Sequence, residues 1–374
     1  MTASTALADA VAFARSAREE AGGWDRRGAI PTDVLDAVAG AGFLAVDVPA
    51  EHGGLGRSPA ELGELCAAFG GACSALRGLV TVQGMVAAAV LRWGDREQRA
   101  RWLPALASGA RRAAFAATEP GAGTDLSAAT TSATPTVGGL RVRGRKLWVT
   151  FGAVADVYLV LAALDGKPVA VLVEADRAGV TVEPIGGQLG MRAAHLANLR
   201  FDDVVVPQEN LVGAPGFGLS HVVATALDHG RFTVAWGCVG LAEACLDLAA
   251  AHVGRRSQGG VRLAEHETVR ALLGRDLVEA SAARRLCEHA AELRARADAD
   301  AIAETVLAKY AAARAASALS EHAVQLHGAA GCAQDSTVGR FFRDAKVMRI
   351  IEGADEPAEL RLGEYALRRP GRSR

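Results

Sequence analysis

The spacing of apolar residues changes twice along the chain. From residue 1 to about 112 it follows a three-and-four rhythm, as in Val34, Leu35, Val38 and Ala41, which is the period of an amphipathic helix. Gly53-Gly54-Leu55-Gly56 breaks the rhythm with a loop. Asp95 then opens another helical stretch, with Pro104 near its end. Between residues 113 and 213 the texture becomes short Val- and Leu-rich runs separated by turn signals. Gly138-Gly139 leads into the alternating Leu140-Arg141-Val142-Arg143, a half-buried strand pattern. Val157 to Leu161 and Val169 to Val173 are continuous apolar runs of strand length, and Asp165-Gly166 between them reads as a turn. Val180-Thr181-Val182 and Leu199 to Val206 are further strand candidates. Helical periodicity returns after residue 213. Ala299 to His322 is rich in Ala and lacks Pro, which favours long packed helices. The pattern predicts an α+β chain: a helical domain at 1–112, a small antiparallel β-domain at 113–213 and a helical domain at 214–374.

Composition narrows the function classes. The 374 residues are 50% hydrophobic and 22% charged, with a net charge of −1. This gives no electrostatic reason to expect nucleic acid or an anionic membrane as a partner. Arg368, Arg369, Arg372 and Arg374 make a basic tail that reads as a solvated end. Six cysteines are scattered without a CxxC pair, and no His cluster has metal-ligand spacing. Buried free thiols and no metal are expected. Asp9, Arg15 and Arg18 interrupt any signal-peptide pattern, and no run approaches the ~20 apolar residues of a membrane span. These features point to a cytoplasmic protein. Gly40-Ala41-Gly42-Phe43-Leu44-Ala45 fits a dinucleotide-binding pattern. The residues before it, Asp33 to Val38, read as helix rather than the strand such a site needs. The glycines are expected at a helix end.

The segment with chemical content is Phe115 to Asp125. Gly121 and Gly123 allow close backbone approach to a ligand, Thr118 and Thr124 offer hydroxyls, and free N–H groups in such a loop can cradle an anion. A plain loop reads equally well from the residues alone. Trp148 lies in a strand, where the ordinary expectation is a core aromatic. Asp228 and Arg231 are spaced for an i, i+3 ion pair on a helix.

Thr118-Glu119-Pro120-Gly121-Ala122-Gly123-Thr124-Asp125 resembles the hallmark of the acyl-CoA dehydrogenase family, with Thr124 in place of Ser. The resemblance extends over nearly the whole chain. It includes Pro49 to Gly54, Gly94 to Gly109, Lys146-Leu147-Trp148-Val149-Thr150, Gly190-Met191-Arg192, Phe201 to Pro207, Gln325 to Gly328 and Arg343 to Gly353. It implies a helical domain, a β-domain and a helical bundle, assembled as homodimers or homotetramers. It also implies FAD, held by Phe115, Ala117, Thr118, Gly123, Thr124, Trp148 and Thr150. Arg256, Gln325 and Ala329 match positions that contact FAD, the first two in a neighbouring subunit. By the same resemblance Glu352 is the base, and Thr124, Asp228, Arg231, Ile351 and Gly353 lie on the substrate side. The implied reaction is α,β-desaturation of an acyl thioester, with an electron-transfer acceptor for the reduced flavin. Such a base gains from burial, which brings a carboxylate's pKa closer to working pH, and Ile350 and Ile351 are expected to wall it. Some family members carry the base at the position of Gly230, which cannot serve.

The match departs from the family in four places. Ala354-Asp355-Glu356-Pro357 replaces a flavin-contacting Thr-x-Gln and adds two carboxylates where phosphate would be near. Arg256-Ser257-Gln258-Gly259-Gly260 lacks an aromatic, and Ala329 replaces a usual Gly. Arg192-Ala193-Ala194 lacks a serine that helps hold CoA, which suggests a substrate on an acyl carrier protein. A flavin oxidase or monooxygenase on the same fold, and a scaffold without flavin, are the competing classes.

Overall fold

Capping chemistry sets the helix boundaries in the first part of the chain. The structure, a computed structural model, describes residues 3–368, so Arg369, Arg372 and Arg374 of the basic tail lie outside the described residues. The first helices are α1 (Ala3–Arg27), α2 (Thr32–Gly40), α3 (Pro59–Gly70), α4 (Ser74–Trp93) and α5 (Arg96–Ala107). The Ser58 hydroxyl accepts from the Glu61 N–H while the Glu61 carboxylate accepts from the Ser58 N–H. Asp95 and Gln98 make the same reciprocal pair at α5. The Gly40-to-Ala45 pattern is the expected helix end: α2 stops at Gly40, and Gly42 turns the chain with φ of +76°.

The central region is one eight-stranded sheet. Its strands are β1 (Ala113–Ala116), β2 (Ser132–Thr136), β3 (Gly139–Val149), β4 (Val157–Leu164), β5 (Lys167–Glu174), β6 (Val180–Pro184), β7 (Ala197–Val206) and β8 (Leu211–Val212). Their order is β6-β7-β3-β2-β4-β5-β8, with β1 also paired to β4. Asp165 and Gly166, both at positive φ, close the β4–β5 hairpin. The sheet is not wholly antiparallel as expected, because β1 and β2 run parallel to β4. Neither is joined to β4 by a tight hairpin, so nothing forces opposite directions. The continuous apolar runs of β4 and β5 reflect burial on both faces. Leu159 and Leu172 pack with Met85 and Val90 of α4, and Val160 and Val171 pack with Val142 and Phe201 within the β-domain.

The rest of the chain is α6 (Ala224–Arg255), a small hairpin of β9 (Ser257–Gln258) and β10 (Val261–Arg262), α7 (Glu267–Ala295), α8 (Ala301–His327), α9 (Thr337–Met348) and α10 (Asp355–Arg368). Two stretches, Ser74–Trp93 and Gly218–Arg255, are long and apolar enough to cross a membrane, contrary to the count of uninterrupted apolar residues. Arg77, Gln83 and Asp228 broke that count. The two windows are 89% and 67% buried inside the protein, so they are core helices. Five of the cysteines are buried as expected, while Cys332 is exposed.

Helix α6 is central because its backbone comes unusually close to α3. A methyl group at Gly240 would collide with the Ala67 carbonyl, and one at Gly70 with the Gly237 carbonyl. Neither neighbour is a flexible side chain, so the helices themselves would have to part. Gly240→Ala is therefore expected to destabilise the fold by roughly 1–3 kcal/mol, read by denaturant unfolding. An unchanged midpoint would contradict this account of the α3–α6 contact.

Candidate active site

The segment Phe115 to Asp125 starts where β1 leaves the helical region. Gln83, buried in α4, donates to the carbonyls of Leu106 at 2.8 Å and Arg111 at 2.9 Å, and accepts from the Ala113 N–H at 2.7 Å. This fixes the entry of β1 and with it Phe115, which lies partly buried on that strand. Past Ala117 and Thr118 the chain is anchored by Glu119. Its carboxylate accepts from Lys146 Nζ at 2.7 Å, the Thr130 N–H at 2.6 Å and the Thr131 N–H at 3.0 Å. Burial pushes the Glu119 carboxyl up, but Lys146 and the two threonines outweigh it and hold it at about 2. Lys146 also donates to the Ala117 carbonyl at 3.1 Å, and the Leu147 N–H to the Thr118 carbonyl at 2.9 Å. These bonds bring Thr118 beside the end of β3, which carries Trp148 and leads to Thr150.

The loop beyond Glu119 is open. Space is empty where a side chain would sit at Gly121 and Gly123. Among the described residues, the N–H groups of Gly121, Gly123 and Thr124 have no partner. Trp148 is not the core aromatic that its strand suggested. It is 57% exposed, with φ of +56°. A register shift between Lys146 and Val149 in the β3–β7 ladder turns it outward, as bulges do. A rigid aromatic face beside free N–H donors fits a flavin with its phosphates.

Two cations shape the loop that carries Glu352, between α9 and α10. Arg231 Nε on α6 donates to the Glu352 carbonyl at 2.9 Å, and Lys309 Nζ on α8 donates to the Gly353 carbonyl at 2.6 Å. The backbone they hold has φ of +56° at Glu352, a region that non-glycine residues rarely adopt and that strain concentrates at functional sites. Glu352 lies in a loop between helices, yet it is half-buried rather than exposed. Its Oε2 is shut from solvent and has no hydrogen-bond partner. Its own N–H has no acceptor among the described residues. Burial raises its carboxyl above the usual carboxylate range, against the opposing pull of Arg231, Lys309 and Arg77.

Helix α6 leaves room for this carboxylate by having no side chain at Gly230. A Cβ there would lie 2.7 Å from Glu352 Oε2 and 3.1 Å from Met85 Sδ. Ile351 packs against the helical core, but Ile350 is 57% exposed, so of the expected pair of wall residues only Ile351 is inside. Lys309 and Arg77 were missed by sequence reasoning. Each is a lone cation in an apolar helical turn, and that was the available signal.

The other candidates divide. Asp228 pairs with Arg294 on α7 at 2.8 Å rather than with Arg231, so the ion pair its spacing allowed does not form. Its Oδ1 is buried without a partner. Arg256, Gln325 and Ala329 are exposed at the far ends of α6 and α8, where His252 and His327 stack with ring centroids 4.1 Å apart. The helix from Lys309 to Gln325 is roughly 24 Å long, so these residues gather with one another and not with Glu352. Asp355, one of the two extra acids, is neutralised by its own chain through Arg349 at 2.5 Å and Arg314 at 3.7 Å. Ala194 is fully buried and bridges Ala29, so the missing serine belongs to an interior position.

Comparison with known proteins supports the family resemblance over most of the chain. Residues 4–110, 114–204 and 218–366 match the N-terminal, middle and C-terminal domain models of acyl-CoA dehydrogenase. The chain is 31% identical over 350 residues to the mitochondrial short-chain specific acyl-CoA dehydrogenase of Mus musculus, covering 92% of this chain and 84% of that one. Among solved structures it is similar to FkbI, described as serving biosynthesis of the methoxymalonyl extender unit of a polyketide, at 39% identity and a TM-score of 0.90, covering 96% of this chain and 99% of that one. It is also similar to a glutaryl-CoA dehydrogenase from Mycobacterium smegmatis in complex with FADH2, at 26% identity and a TM-score of 0.90, covering 98% and 96%. The chain belongs to the acyl-CoA dehydrogenase family, FAD-dependent oxidoreductases that act on CH–CH groups.

Proposed function

We propose that Glu352 removes the α proton of an acyl thioester and so starts its α,β-desaturation. The observation that carries this reading is the unpartnered, solvent-shielded Oε2 of Glu352, held on a backbone that two cations keep in place. A carboxylate so placed is poised to accept a proton, since no donor already satisfies it. Burial raises its basicity, which suits a weakly acidic C–H. The thioester oxygen gains charge as the proton leaves, and the free N–H of Glu352 is the donor we assign to it. Thr124, Asp228, Arg231, Ile351 and Gly353 make up the substrate side. Phe115, Ala117, Thr118, Gly123, Thr124, Trp148 and Thr150 would hold FAD. Bound FAD would supply the hydride acceptor for the β carbon, with an external acceptor needed to reoxidise it. Arg256, Gln325 and Ala329 stand too far from Glu352 along α8 to serve the same flavin. They fit the flavin of a neighbouring subunit in a homodimer or homotetramer.

A second reading concerns the carrier. The likeness to FkbI, a protein named for extender-unit biosynthesis, favours a thioester on an acyl carrier protein over one on CoA. Matched acyl groups on the two carriers test it. The expected result is a larger kcat/KM with the carrier protein, and an equal or larger value with CoA would overturn it.

Glu352→Gln is expected to retain the yellow flavin spectrum while desaturation falls by about 10²–10⁴-fold or more. Activity within tenfold of the parent would falsify the base assignment. The pH profile gives an independent check. The base works ionised, and its raised pKa means that protonation begins at a higher pH than for an ordinary glutamate at ~4.3. The acid limb of kcat/KM is therefore expected above that value, with activity lost as pH falls through it. A limb at or below ~4.3 would contradict the buried, raised carboxyl.

A further inference from the structure

Glu352 sits between a closed end and an open end of one helix pair. Helices α6 and α8 run side by side in the same direction. Arg231 and Lys309 bond the adjacent carbonyls of Glu352 and Gly353, and about five turns further on His252 and His327 stack. Towards His252 the interior is shut about two turns past Gly230. There Gly237 lies against Arg77, and both Arg77 and Trp236 are 1% exposed. In the opposite direction the first turns of α8 and one face of α10 enclose a cavity of about 520 Å³, lined in part by Asp300, Ile302, Val306, Arg361, Tyr365 and Arg368. That volume suits a ligand. Val306 precedes Lys309 by three residues on α8. Burial lowers the pKa of the Arg231 guanidinium, and the charge of Arg361 beside it lowers it further. The cavity therefore borders the loop that carries Glu352.

The rim of this cavity is both cationic and apolar. Arg361 has no partner among the described residues. Arg368 reaches only Glu364 on its own helix, an exposed contact of little strength. From residue 361 onward the sequence holds five arginines and one acid, in a chain whose net charge is −1. Leu360 and Leu367 lie on one face of α10 and are 73% and 90% exposed, and Ile302 at the start of α8 is 60% exposed. The two leucines do not line the cavity, so a small ligand inside it leaves them in water. A protein seated over the mouth covers them.

We propose that α10 and the start of α8 are the docking surface for a small acidic acyl carrier protein, whose pantetheine arm enters past Arg361 towards Glu352. The proposal rests on the carrier reading above and states where that carrier sits. The unpaired arginines attract and orient an acidic partner, and the leucines give it an apolar contact.

Butyryl thioesters of an acidic acyl carrier protein and of pantetheine test this with FAD-loaded protein, read as bleaching of the flavin absorption band. The parent is expected to prefer the carrier, and added salt to erode that preference while the pantetheine rate holds. Arg361→Glu, Arg368→Glu and Leu367→Asp are each expected to lower kcat/KM with the carrier by about tenfold or more, through KM, and with pantetheine by less than about twofold. Equal losses on both substrates would place the damage inside the site and overturn the docking surface. A carrier preference that survives all three substitutions would also overturn it and leave the carrier reading standing. A parent without any preference for the carrier ends both together. Should Leu367→Asp change the mass of the protein in solution while the carrier preference holds, the face belongs to a second copy of this chain and the proposal fails.

Discussion

The site depends on two cations that bind carbonyls instead of a carboxylate. Arg231 and Lys309 spend their hydrogen bonds on the backbone oxygens of Glu352 and Gly353. Had either reached the carboxyl group itself, the acid would be satisfied and held low, as Glu119 is by Lys146. Bound to the peptide, the same charges fix a left-handed turn that the sequence would not adopt alone, and they leave Oε2 without a partner. The strained turn is thus supported from two helices at once. This explains why α6 and α8 must pack against each other before the loop has a shape.

The β-domain uses the opposite logic. Glu119 is saturated with donors, and that saturation makes it a rigid post from which the open loop of Gly121 to Thr124 is hung. One glutamate is fully paired and structural. The other is nearly unpaired, as the proposed base would be. Residue type cannot separate them; the separation lies in what each carboxylate meets.

Much of the fold was legible because its elements obey their periods. The helices of the first and last regions, the β4–β5 hairpin and the helix end at Gly40 to Gly42 all follow from local pattern. The candidate site was legible as far as motifs reach: Phe115 to Asp125 and Glu352 were singled out by the resemblance to the family. What was not legible arises from contacts between distant segments. The exposure of Trp148 needs a bulge in the β3–β7 ladder, which no strand periodicity shows. The pairing of Asp228 with Arg294 crosses from α6 to α7 and overrides the local i, i+3 option. The parallel pairings of β1 and β2 with β4 depend on which strands meet, not on any one strand's residues.

The missing side chain at Gly230 gives this protein a rule of mutual exclusion. The volume that a residue at 230 would need is the volume that the carboxylate of residue 352 already fills. A side chain at 230 would therefore push the end of the Glu352 side chain out of its present place. A relative with its acid on the α6 side would crowd a glutamate at 352, so a shorter residue is expected there. The pair of letters at these two positions can be read in any related sequence as a single character.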